Sequence, residues 1–116
     1  MSVRPGLYRG IALQGNEGAR RLLEAWMQPF DDFGMTAVSI QSLCCTDHVA
    51  FDEVGLPGFQ FIQDRVPGGG GHSNLDPLEA IPAEDLMKNA VVMASYAWHA
   101  ATSDEPMPRK AAPVRR

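Results

Sequence analysis

The side chains able to do chemistry in this sequence are few: His48, His72 and His99, the adjacent thiols of Cys44 and Cys45, and the carboxylate of Asp47 directly before His48. His72 follows four consecutive glycines, Gly68 to Gly71, and leads into Ser73-Asn74-Leu75-Asp76, which puts an imidazole on a loop where a metal could reach it. A hydrolytic zinc site needs three protein ligands and an open position, and a two-metal site needs more. One imidazole cannot do that chemistry, so the chain reads as part of an enzyme.

Each of these residues also has a plainer reading. His72 alone is a solvated loop histidine, because a single imidazole holds zinc weakly. Asp47 is equally an N-cap for a short helix, and His48 a packing or capping residue beside it. His99, after Trp98, reads as a partly buried helix histidine, and Asp76 as a residue that fixes the loop before Pro77. Asp52-Glu53 reads as a solvated face. Cys44 and Cys45 have neither the two-residue spacer of a redox pair nor the spacing of a zinc ribbon, so the expectation is two small reduced residues at a strand end.

The elements that must position these residues follow from spacing. Leu7 to Leu13 is a short extended segment, and Gly15-Asn16 turns it, with Asn16 as a candidate N-cap. Leu22, Leu23, Trp26, Met27 and Phe30 then recur at helical intervals and predict a helix over residues 17–29, stopped by Pro29 and Gly34. Met35 to Ile40 and Phe59 to Ile62 predict strands, and between them Thr46 or Asp47 starts one or two helical turns that Gly55 closes. A strand, a short helix and a strand in succession suggest parallel pairing. Residues 63–82 are irregular. Pro82, Glu84 and Asp85 then begin a helix over residues 83–101, with Leu86, Ala90, Met93, Ala97 and Ala101 as its buried face. Met87, Met93, Trp26 and Trp98 are core residues by the same spacing.

Composition narrows the function classes. The chain has 116 residues, 45% of them apolar, and a net charge of -4, which suits one domain with a modest core. No stretch of about eighteen apolar residues crosses a membrane, and Met1-Ser2-Val3-Arg4-Pro5-Gly6 lacks the apolar run of a secretory signal, so the expected location is the cytosol. No basic stripe interleaved with aromatics supports nucleic-acid binding. Arg109, Lys110, Arg115 and Arg116 lie among prolines, and residues 106–116 are expected to be a solvated tail.

Three stretches carry a family resemblance: Gly10-Ile11-Ala12-Leu13-Gln14-Gly15-Asn16-Glu17, the run from Thr46-Asp47-His48 through Gly55-Leu56-Pro57-Gly58-Phe59 to Gln63-Asp64, and His72-Ser73-Asn74-Leu75-Asp76. Together they resemble the C-terminal end of the zinc exopeptidases that include bacterial leucyl aminopeptidase and carboxypeptidase Q. The resemblance implies an α/β fold, a partial α/β/α sandwich with a mixed sheet and flanking helices, over residues 1–105. It implies two zinc ions in the complete site, with His72 as the last metal ligand. Asp47, with His48 beside it, would stand behind the ligands or on the substrate side, and a peptide would be the substrate. Complete relatives are often exported.

The rest of that family's site, a His-x-Asp pair, adjacent glutamates that supply the general base, and a further Asp, has no counterpart here. No His-x-Asp exists and no two glutamates are adjacent. No catalytic residue is therefore assigned, and zinc is expected to be weak or absent in this chain alone. Two expectations result. The chain is a fragment of a zinc-dependent metallopeptidase, inactive without an N-terminal portion, or it is a free-standing non-catalytic α/β module that binds or self-assembles, with a homo-oligomer covering its open surfaces.

Overall fold

The computed structural model describes residues 6–64 and 82–111. Strand β1 (Tyr8–Ala12) is followed by a 3-10 turn (Glu17–Ala19), helix α1 (Arg20–Met27) and a second 3-10 segment (Gln28–Phe33). Strand β2 (Ala37–Ser39), helix α2 (His48–Glu53), strand β3 (Gln60–Gln63) and helix α3 (Ala83–Thr102) complete the order. The result is an α/β fold with a mixed three-stranded sheet, β1 in its centre.

The register explains the core. β1 runs parallel to β2 and antiparallel to β3, so that Ile11 faces Val38 on one side and Phe61 on the other. This row of side chains meets Leu22, Leu23, Trp26 and Met27 from α1 and Val92 and Tyr96 from α3 in one apolar cluster. Gly10 permits the close β1–β2 approach: a Cβ there would stand 1.9 Å from the Ala37 carbonyl oxygen, a distance no side chain tolerates. The parallel pair expected between the second and third strands is instead made by β1 and β2. β1 lies between β2 and β3, and β3 returns antiparallel.

The helix expected over residues 17–29 forms, but only Arg20–Met27 is α-helical, and the turns on either side tighten to 3-10. Its apolar stripe, Leu22, Leu23, Trp26, Met27 and Phe30, is buried as the spacing requires. Gly34 closes the run, its N–H returning to the carbonyl of Asp31 at 2.8 Å. Asn16 does not cap. It is buried, and its Nδ2 donates to the carbonyl of Pro108 at 2.7 Å.

α3 has the expected extent and the opposite face. Leu86 and Met93, expected in the core, are 55% and 51% exposed, and Ala90, Ala97 and Ala101 are exposed with them. Met87 and Trp98 also lie outside the core, so that of Met87, Met93, Trp26 and Trp98 only Trp26 is buried. The buried stripe is Asp85, Asn89, Val92 and Tyr96. Two hydrogen-bonding clips account for the inversion. Asn89 accepts from the N–H of Tyr8 at 2.9 Å and donates to the carbonyl of Gly6 at 2.6 Å, and Tyr96 donates its hydroxyl to the carbonyl of Leu23 at 2.9 Å. A buried polar group with its partners in place is tolerated, and it fixes the rotation of the helix that carries it.

Part of the expected solvated tail is held down. Met107 packs against the core cluster, and Lys110 reaches both the Gln14 carbonyl and, at 2.7 Å, the carboxylate of Asp52, while Glu105, just before the tail, pairs with Arg21. Asp52 is thus an ion-pair partner, not a solvated face.

Candidate functional site

The site builds from the loop between β2 and α2. Two residues after β1 comes a buried polar residue, Gln14, with φ 54. Its side-chain amide is bound to both ends of one distant residue: Nε2 donates to the Leu43 carbonyl at 2.9 Å, and Oε1 accepts from the Leu43 N–H at 2.9 Å. His48 joins the same group. Its Nε2 lies 3.0 Å from the Leu43 carbonyl and 3.1 Å from Gln14 Oε1, two acceptors that require the proton to be on Nε2. Its Nδ1 lies 2.7 Å from the hydroxyl of Thr46, which in turn donates to Gln60 Oε1 on β3 at 2.6 Å.

His48 is only 8% exposed, and the start of α2 is pressed close to the segment leading into β3. At Gly58 a Cβ would stand 2.5 Å from the His48 carbonyl oxygen, so glycine there lets the chain pass the start of α2. Both ring nitrogens of His48 lie within hydrogen-bond distance of a protein partner, as for a packing residue. Asp47 occupies the N-cap position of α2 without a side-chain capping bond, and it is exposed. The capping alternative for Asp47 thus holds for its position and not for its side chain. Thr46, the other candidate cap, spends its hydroxyl on His48 and Gln60.

Asp47 and His48 do meet in one place. They line a cleft of about 390 Å³ together with Tyr8, Thr46, Gln60 and Gln63. Burial raises the pKa of the Tyr8 phenol, so it stays protonated. The cleft thus offers a carboxylate, two amides and two hydroxyls. With the His48 imidazole beside them, that is a surface for hydrogen-bonding a polar or cationic group. A second cleft of about 470 Å³, apolar, opens beside it between Trp26, Phe59, Phe61, Met93, Tyr96 and Met107.

Among the described residues no three His, Cys, Asp or Glu side chains converge as a metal shell. The described donors do not make up a zinc site by themselves. His72 and Asp76 lie outside the described residues. His99 is half-buried, its ring stacked on Trp26 at 5.5 Å, as a helix histidine should be.

Cys44 and Cys45 are not a reduced pair: they are joined to each other, and both are exposed. Adjacency argued against this bond, but Cys45 takes φ 80, a backbone setting outside the ordinary regions for a non-glycine residue. Gln14 is the residue that spacing missed. Its signal was a polar side chain continuing the buried run Ile11-Ala12-Leu13 directly into a turn.

No helix among the described residues is long and apolar enough to cross a membrane. Comparison of the chain with protein-family models, with curated proteins and with solved structures finds no match.

Proposed function

We infer that this chain is the C-terminal portion of a zinc-dependent exopeptidase domain, supplying His72 to the metal and the Asp47–His48 cleft to the substrate side, and that it does not hydrolyse peptides alone. The observation that supports the reading is the outward face of α3. Leu86, Met87, Val91, Met93 and Trp98 are all more than half exposed on one helix of a three-stranded α/β unit. A helix apolar on its outer side belongs inside a larger body, because such a patch is rarely left to water. If the sequence resemblance holds, that larger body would be the N-terminal portion of the domain. In it the exposed carboxylate of Asp47 would meet a cationic or N–H-bearing end of a peptide.

The same face supports a second reading, a non-catalytic module that covers α3 by self-association. The two separate on measurement. Zinc content and aminopeptidase or carboxypeptidase turnover are compared for the chain alone, its His72→Ala variant, and the chain extended by its upstream reading frame where that frame encodes a His-x-Asp and adjacent glutamates. The fragment reading expects turnover only in the extended protein, lost on His72→Ala. Stoichiometric zinc and turnover in the chain alone would overturn it, and a stable dimer with no such upstream frame would favour the module.

A further inference from the structure

We propose that the Cys44–Cys45 disulfide is a redox latch that sets the shape of the Asp47–His48 cleft. The disulfide lies between two anchored points. On one side Leu43 is held through both its N–H and its carbonyl by Gln14 and again by His48. On the other, Thr46 is held by His48 and Gln60. Only the two cysteines span the gap, and both are exposed to a reductant.

Cys45 has φ 80, which an L-residue with a Cβ adopts only where the surroundings impose it. The covalent ring between neighbouring sulfurs is what imposes it here. Reduction by a small dithiol is balanced. The reductant's two thiols close to its own disulfide, and two electrons and two protons pass to the Cys44 and Cys45 sulfurs, which become thiols. Cys45 then returns to an ordinary backbone region and displaces Thr46, the next residue. The Thr46 hydroxyl leaves His48 Nδ1 and Gln60, and the cleft wall with Asp47 moves with it. The inference concerns the cleft itself and holds whether or not a peptidase uses it.

The test uses the full chain. After air oxidation the cysteines should resist alkylation by iodoacetamide, and a small dithiol should expose two alkylation sites. Amide hydrogen exchange over residues 43–48 should then accelerate by about tenfold or more, while that of β1 and α1 is unchanged. The His48 ring-nitrogen resonances should shift, and reoxidation should restore both signals. A Cys44→Ser/Cys45→Ser variant should exchange like the reduced protein and ignore the dithiol. Two alkylated thiols before reduction, reduction without faster exchange in 43–48, or loss of the far-ultraviolet dichroism of the whole chain on reduction would each overturn the latch. None of these readings depends on zinc or turnover, so they leave the peptidase reading to its own test.

Discussion

α1 and α3 are both amphipathic by spacing, yet only α1 turns its apolar stripe inward. α1 has one apolar stripe, and its opposite side carries Arg21, Glu24 and Ala25, all exposed. α3 has two usable faces. One is aliphatic and small, and the other joins Val92 to the hydrogen-bonding groups of Asn89 and Tyr96. The second face wins because Asn89 finds the backbone of residues 6 and 8, and Tyr96 finds Leu23. Periodicity identifies a face that could be buried. Which face is buried depends on partners far away in sequence.

The comparison can be broken first at α1. Leu23 is 1% exposed, and Leu23→Ala should cost about 3 kcal/mol of unfolding free energy in a urea titration. A loss below about 1 kcal/mol would show that α1 is not the anchored helix. The clip on α3 comes next. Asn89→Leu adds apolar surface and would stabilise a helix held by hydrophobic burial alone, but here it should cost about 2 kcal/mol, because the Gly6 carbonyl and Tyr8 N–H lose their partner.

Tyr96→Phe is smaller, about 1 kcal/mol near neutral pH. It also carries a pH signature. Burial raises the folded pKa of Tyr96 above its ordinary 10.0, so the protonated phenol's contribution is whole below that ordinary value and is lost as pH rises beyond it. The urea midpoint of the parent protein should therefore hold up to about pH 10 and drop as pH rises beyond it, and drop less in Tyr96→Phe. Equal drops would remove Tyr96 from the account.

The smallest effect is expected where spacing alone predicted a large one. Met93→Ser should change the stability of the isolated chain by about 0.5 kcal/mol or less, while reducing the binding of a hydrophobic dye. A cost of about 2 kcal/mol, as for a core methionine, would return Met93 to the interior and remove the uncovered face.

The elements themselves were legible: both long helices, the three strands and the turns at Gly34 and Gly55 lie where local spacing and composition put them. What was not legible depended on distant groups. The antiparallel return of β3 follows from β1 lying between it and β2, which no local pattern records. Gln14 adopts a left-handed φ that its residue type disfavours, and it does so for Leu43, 29 positions away. Of the site, Asp47 and His48 were found from the motif and share one cleft. The hydroxyl of Thr46 beside His48 and the amide of Gln60 that Thr46 reaches carry no signal of their own.

The central position of β1 has a consequence for how the chain is made. β1 leaves the ribosome before the groups that complete it: its partners are residues 37–39 and 60–63, and the clip that finishes it is Asn89. At about 5–20 residues per second, the strand waits on the order of seconds with open edges before the sheet can close around it. Its own sequence limits the exposure to that interval, since Arg9 and Gly10 interrupt the apolar run until Asp64 arrives to pair with Arg9 at 2.7 Å.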